Sequence, residues 1–329
     1  MIKVTNLTKY YGQHKAVDNI SFELQDGKIY GFLGPNGAGK STTMNIMTGY
    51  IGATSGTVEI NGYDIMEEPE KAKANLGYLP ELPPLYQDMT VNEYLCFVAE
   101  LKKVNKKEIK EHVSEIEKLA RVENVSERLI KHLSKGYRQR VGLAGALISY
   151  PDVIILDEPT VGLDPKQINE MRELISSLRE KHTVILSSHI LQEVSAICDV
   201  ILIIANGKLI ANDTPENLSN NLNNSSVLTY KIKAAEDKVK SVLDKFSQIS
   251  SYVCKQEGDI TTCEINTNAD ASTLQDEIFF AFADCRIAIL ESSVETKSLE
   301  DIFLQLTESA DKYRNDDGNT SDSTDGGEE

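Results

Sequence analysis

KIYGFLGPNGAGKSTTMNIMTG, residues 28–49, reads as a buried strand, a glycine loop and the start of a helix. Ile29, Tyr30, Phe32 and Leu33 supply the strand, and Met44, Ile46 and Met47 are apolar positions for the helix. Between them lie Gly34, Pro35, Asn36, Gly37, Ala38, Gly39, Lys40, Ser41 and Thr42, of which Gly34, Gly39, Lys40 and Ser41 fill the pattern G-x-x-x-x-G-K-[ST]. Glycines at 34, 37 and 39 open backbone angles closed to other residues, so successive N–H groups can turn inward around an anion. The following helix adds its positive N-terminal end. Lys40 reaches the β- and γ-phosphates as a point charge, and the Ser41 hydroxyl is a ligand for the Mg²⁺ that bridges them. A loop of this build binds a nucleoside triphosphate.

A phosphate loop needs a carboxylate to hold the metal and, for hydrolysis, a base to orient water. The run VIILDEP, residues 153–159, is an apolar parallel strand with Asp157 and Glu158 at its C-terminal tip, the end at which α/β sheets bind ligands. Asp157 is expected to position Mg²⁺ and Glu158 to polarise the attacking water. A further buried strand, Thr183 to Ser187, ends at Ser188 and His189, which places His189 within reach of the γ-phosphate. LSKGYRQRVGLAGALI, residues 133–148, is a second helix entry with an anion-ready end, capped by Ser134 and opened by Gly136.

Outward from this core the chain alternates small antiparallel units and helices. Residues 2–8 and 16–24 read as edge strands, with Tyr11 between them placed to present its ring to a purine. Thr57 to Ile65 reads as a hairpin turning at Asn61-Gly62, and LGYLPELPPLY as a short strand stopped by prolines. From Thr90, whose spacing to Glu93 fits a capping box, the pattern is helical through about Val122. Asn206-Gly207 marks another hairpin. Past residue 213 the polar stretch 217–226 reads as a linker to a second domain over 227–308, whose apolar spacing runs βαββαβ and predicts a ferredoxin-like α+β fold. Ser298 and Asp301 are read as caps of a short last helix, and 309–329 as a disordered acidic tail.

The net charge of -17 and pI near 4.8 disfavour nucleic acid as the main partner. No run of eighteen apolar residues is present, and the opening MIKVTNLTKY lacks the apolar core of a signal peptide, so a cytoplasmic location is expected. Five widely spaced cysteines without a C-x-x-C predict buried reduced thiols in place of a disulfide framework or zinc site.

Taken together and in order, GPNGAGKST, LSKGYRQR, VIILDEPTVGLDP and SSH resemble the nucleotide-binding subunit of ATP-binding cassette (ABC) transporters over roughly residues 1–215. The resemblance implies an α/β P-loop NTPase core, residues 1–216, with an antiparallel β-subdomain and a helical insert at about 90–145. It implies ATP with Mg²⁺, hydrolysis of ATP, and a dimer in which Ser134 and Gly136 of one subunit close over ATP held by the other. By the same resemblance Tyr11 stacks on adenine, Asp164 acts at the dimer interface and His189 senses the γ-phosphate. The partner it implies is a polytopic membrane permease on a separate chain, with the subunit peripheral at the cytoplasmic face and no nucleic acid involved. The second domain resembles the extension of bacterial drug and bacteriocin exporter subunits. Two places depart from the family pattern, the second being the signature, which reads LSKGY where LSGGQ is usual. Glu81 stands where glutamine is usual, and Tyr137 where LSGGQ has its amide. Magnesium between Glu81 and the phosphates favours a ligand role for that carboxylate over repulsion. A soluble ABC ATPase acting on ribosomes is disfavoured by the single cassette. A P-loop kinase or GTPase is disfavoured by DEPT in place of D-x-x-G and by the lack of N-K-x-D.

Overall fold

A computed structural model describes residues 1–218, 226–267 and 271–295. The chain divides into two compact units, the first running from Met1 to Pro215 and the second beginning at Glu216. The expected caps at Ser298 and Asp301, the tail, and residues 219–225 of the expected linker lie outside the described residues.

The first unit is built on two sheets. Strands β1 (Ile2–Tyr11), β2 (His14–Leu24), β4 (Ser55–Ile60) and β5 (Tyr63–Asp64) form an antiparallel sheet in the order β2-β1-β4-β5. Strands β3 (Ile29–Leu33), β6 (Leu76–Leu79), β7 (Val153–Leu156), β8 (Thr183–Ser188), β9 (Val200–Ala205) and β10 (Lys208–Asp213) form the second sheet, ordered β10-β9-β3-β8-β7-β6. All its pairs are parallel except β9–β10, the hairpin foreseen at Asn206-Gly207. Strands covered on both faces read as unbroken apolar runs, and every residue of β3 and β7 is buried accordingly. The two sheets share a core in which Phe22 of β2 meets Phe32 of β3 edge to face at 5.3 Å.

Helices α1 (Lys40–Met47), α2 (Pro69–Ala74), α3 (Val91–Leu101), α4 (Ile109–Leu119), α5 (Lys135–Leu147), α6 (Pro165–Ser177) and α7 (Leu191–Ser195) complete the unit. The capping box at Thr90 is formed: its hydroxyl accepts from the Glu93 N–H, and the Glu93 carboxylate accepts from the Thr90 N–H. The helical stretch expected to run from Thr90 to about Val122 is interrupted. α3 ends at Leu101, Lys103 takes a left-handed φ of 60°, and α4 starts at Ile109. Lysines and asparagine in KKVNKK carry no apolar stripe that would hold one long helix against the core. Strand β1 also runs further than residue 8, reaching Tyr11 before the turn at Gly12.

In the second unit, β11 (Ser226–Lys233), β12 (Ile249–Glu257), β13 (Ile260–Thr267) and β14 (Ala288–Glu295) form an antiparallel sheet in the order β12-β13-β11-β14, with helices Glu236–Leu243 and Ala271–Asp284. Leu228, Tyr230 and Ile232 alternate onto the face that the helices cover with Val239, Val242, Leu274, Ile278 and Phe282. This is the βαββαβ, ferredoxin-like arrangement the spacing predicted. The cysteines correct the expectation of buried reduced thiols. Cys254 and Cys263 face each other across β12 and β13 and are joined by a disulfide, while Cys285 is exposed. Directly opposed residues of an antiparallel pair lie within about 5.5 Å at Cα. That register, set by the turn at Gly258, is what a count of cysteines does not carry.

Ile155, fully buried in β7, lies in the shared core of the first unit. Its truncation to alanine is expected to lower stability by about 2–5 kcal/mol, read as a shift of the denaturant midpoint of the first unit.

Candidate nucleotide-binding and hydrolysis site

The parallel register brings three strand ends to one edge of the second sheet. Leu33 of β3 pairs with Ser188 of β8, and Leu156 of β7 pairs with Leu186 of the same strand. The phosphate loop therefore follows β3 beside the acids that follow β7 and the histidine that follows β8. In the loop, Gly37 and Gly39 take φ of 80° and 105°, as an inward-facing N–H cradle requires. Gly34 has a different reason to be glycine: a Cβ there would stand 2.2 Å from the Ile204 carbonyl oxygen.

A cavity of about 440 Å³ opens at this edge, lined from the loop by Asn36, Gly37, Gly39, Lys40, Ser41 and Thr42. Tyr11, Glu81, Glu158 and His189 complete the wall together with His14, Ala16 and Val161, three residues the sequence did not single out. Pro35 and Ala38 shape the loop, as the Pro35 carbonyl accepts from the Ala38 N–H at 3.2 Å. Lys40 is 5% exposed, and its ammonium donates to the Gly34 and Pro35 carbonyls at 2.7 and 3.2 Å. Burial holds its pKa below the usual lysine range, and the nearby Glu158 and Asp157 carboxylates pull it partly back.

The acids are tied to the loop. Ser41 Oγ donates to Asp157 Oδ1 at 3.3 Å, so a hydroxyl and a carboxylate from two elements converge on one point. These hard oxygen donors suit Mg²⁺, which takes one or two protein oxygens and leaves the rest of its shell to phosphate and water. Among the described residues no group of three or more His, Cys, Asp or Glu side chains could hold a metal by itself. Glu158 Oε1 lies 3.7 Å from Lys40 Nζ, and its Oε2 is 3.0 Å from His189 Nδ1. Glu158 also adopts φ 48°, a left-handed conformation costly for a residue with a Cβ.

Asp157 lines an adjoining groove and not this cavity, and Ser134, Gly136 and Asp164 line neither. Ser134 caps α5, its hydroxyl accepting from the Tyr137 N–H. Asp164 caps α6 the same way, accepting from the Gln167 N–H at 2.9 Å. Gly136 is buried against α6, where an added Cβ would meet the Gln167 side chain at 2.5 Å. Tyr137 has its own neighbours: its hydroxyl accepts from Asn124 Nδ2 at 2.9 Å, and its ring lies 5.6 Å from the Arg140 guanidinium, which pairs with Glu170 of α6. Glu81 is exposed and its carbonyl accepts from Gln139 Nε2 of α5 at 3.2 Å.

The ABC transporter family model matches residues 17–161. The bacitracin transport ATP-binding protein of Bacillus licheniformis is 35% identical over 309 residues, covering 93% of this chain and 97% of its own. The linearmycin resistance ATP-binding protein of Bacillus subtilis strain 168 is 31% identical over 313 residues, covering 93% and 98%. This chain belongs to the ABC transporter ATP-binding family. Among solved structures, a dimeric ATP-binding cassette in a post-hydrolysis state with ADP and phosphate superposes with a TM-score of 0.60 at 26% identity, covering 65% of this chain and 98% of that one. An ATP-binding subunit of an ABC transporter gives 0.61 at 30% identity over 67% and 92%. The protein is thus an ATP-binding and ATP-hydrolysing subunit of an ABC transporter, with a P-loop NTPase core.

Ser187, the first serine of SSH, has a role in this ABC subunit's site that the motif by itself did not assign. Ser187 Oγ donates to Asp157 Oδ1 at 2.6 Å and accepts from the Glu158 N–H at 2.9 Å, fixing both acids at once. Only its place at the end of an apolar strand hinted at it. Replacing Ser187 with alanine is expected to slow ATP turnover about tenfold or more, as misplacement of catalytic groups does. Nucleotide affinity should change far less, and steady-state ATPase assays beside equilibrium nucleotide titration read the two separately.

Proposed function

We propose that the cavity at the strand edge binds Mg²⁺ATP and that Glu158 is the general base of hydrolysis. The observation that carries this reading is the convergence of Lys40, Ser41, Asp157, Glu158 and His189 from three segments of the chain on one site. Lys40 sets its charge against the β- and γ-phosphates, and the loop N–H groups turn toward them. Ser41, Asp157 and Glu81 would hold the Mg²⁺, whose contribution when bound is to neutralise phosphate charge. Glu158 orients water and takes its proton as the oxygen attacks the γ-phosphorus and the bond to the bridging oxygen of ADP breaks. His189, held by Glu158, contacts the γ-phosphate, and Tyr11 stacks on adenine.

A second copy completes the site in this reading. Ser134 and Gly136 at the capped start of α5 close over the partner's ATP, and Asp164 lies at the same interface. Support comes from the dimeric cassette to which the chain is similar and from the position of Ser134, which caps a helix end without lining its own chain's cavity.

The partner is inferred to be a separate polytopic permease at the cytoplasmic face of the membrane. Among the described residues no helix is long and apolar enough to cross a membrane. A groove of about 730 Å³ runs beside the cavity, walled by Tyr50, Tyr78, Leu82, Pro83, Tyr94 and Val98, with Leu82 and Tyr50 more than three-quarters exposed. Glu81 lines both groove and cavity, so a change at the γ-phosphate has a short route to a docked permease segment. Outward transport is favoured by relatives named for bacitracin transport, linearmycin resistance and lantibiotic transport.

Glu158→Gln is expected to bind ATP and to accumulate as a dimer on size exclusion, with hydrolysis lost; turnover at the parent rate removes Glu158 from the base role. Lys40→Ala should lose ATP binding in an equilibrium titration, and unchanged affinity counts against the phosphate loop as the nucleotide site.

A further inference from the structure

Behind the Glu158–His189 contact lies a second buried carboxylate with no place in the reading above. Glu193, on α7, is 6% exposed. Its Oε2 accepts from Thr160 Oγ1 at 2.6 Å and from Ser188 Oγ at 3.2 Å. Thr160 stands two residues beyond Glu158 and is itself 7% exposed, and Ser188 immediately precedes His189 and is 1% exposed. One oxygen thus ties the segment that carries the base to the segment that carries the histidine.

Glu193 is carried by a helix packed tightly on the sheet. Its neighbour Val194 is fully buried and packs so closely on β3 that a Cβ at Gly31 would lie 2.0 Å from Val194 Cγ1. On the catalytic side each segment turns sharply. The Val161 N–H donates to the Glu158 carbonyl at 3.2 Å, the Ile190 N–H donates to Ser188 Oγ at 3.0 Å, and Glu158 keeps its positive φ. A non-glycine residue stays in that conformation only where its surroundings over-determine it. Ser187 fixes the Glu158 N–H from one side. Thr160, through Glu193, fixes the chain just past it from the other.

We propose that Glu193 is a positioning residue for ATP hydrolysis. Its carboxylate oxygen clamps Thr160 to Ser188, so that Glu158 and His189 remain 3.0 Å apart and aimed into the nucleotide cavity. The inference rests on the reading of Glu158 as base and adds the group that holds it. Loss of the clamp leaves the buried Thr160 hydroxyl without its acceptor and Ser188 with only the Ile190 carbonyl at 3.5 Å, and so unties the two segments, while the phosphate loop that binds ATP keeps its own contacts. Turnover is therefore the quantity that moves, and ATP affinity is not. Both donors converge on one oxygen, so the amide oxygen of glutamine can accept both and the negative charge is dispensable.

The test uses the full-length subunit. Glu193→Ala is expected to lower kcat about 10- to 100-fold, with ATP affinity and ATP-dependent dimerisation within about twofold of the parent. Glu193→Gln should restore most of the rate. Thr160→Val should lower kcat in the same sense, and combining it with Glu193→Ala should add little, as members of one unit do not act additively. A Glu193→Ala protein with parental kcat overturns the proposal. So does a parallel fall of kcat and ATP affinity that Glu193→Gln fails to restore, since that marks a residue that merely packs. If Glu193→Ala does not fold, Thr160→Val and Ser188→Ala carry the same comparison. Glu158→Gln, measured alongside, separates the two readings. Full turnover in that variant removes the base assignment, whereas slow turnover there with normal turnover in the Glu193 and Thr160 variants removes only the clamp.

Discussion

Parallel pairing of β3, β8 and β7 is the constraint on which the site depends. Because Leu33 and Ser188 are register partners, and Leu156 and Leu186 are too, three unrelated sequence segments must leave the sheet at the same edge. A slip of one residue in any of these pairings turns each side chain to the opposite face. The apolar runs VIIL in β7 and VIL in β8 are buried on both sides, so such a slip would set each side chain into a close-packed space shaped for another. Sheet energetics therefore set the position of the polar groups, not the reverse.

Those polar groups are expensive to place there. Lys40, Asp157, Glu158, Ser187 and Ser188 are all buried, and a buried charge is tolerated only when paired and hydrogen-bonded. Here the loop carbonyls hold the Lys40 ammonium, Ser41 and Ser187 donate to Asp157, and His189 meets Glu158. The depressed Lys40 pKa is the remaining sign of that cost. A triphosphate arriving in the cavity adds its negative charge to that of Glu158, 3.7 Å from the ammonium, and in so buried a place that attraction is strong.

Much of this was legible in residues alone, because the phosphate loop, the acids after VIIL and the Asn-Gly hairpins are local patterns whose physics acts within a few residues. The hidden features depend on distant partners. Nothing adjacent to Ser187 announces that its hydroxyl joins Asp157 to the Glu158 backbone, thirty positions away in the chain, and the Cys254–Cys263 pairing follows from hairpin register. The break between α3 and α4 was missed for the opposite reason. Helical spacing persists on both sides of KKVNKK, and only the missing apolar positions within it mark the gap. Glycines were found for mixed reasons: Gly37 and Gly39 by backbone angle as read, Gly34 and Gly136 by the closeness of Ile204 and Gln167.

Glu81 shows how a family departure can be read physically. Its side chain lines the nucleotide cavity, its segment borders the apolar groove, and its carbonyl is held by Gln139 of the helix that Ser134 caps. A ligand shifts a conformational equilibrium only through contacts that differ between the two states. A carboxylate here makes such a difference larger than an amide would. In the function proposed above, it would be repelled by ATP without a cation and attracted to a divalent cation set between them. Gln139 joins the same segment to α5, and Pro80, Pro83 and Pro84 carry it along the groove wall. Proline fixes φ at those three positions, so the segment that links cavity, groove and α5 has little backbone freedom of its own.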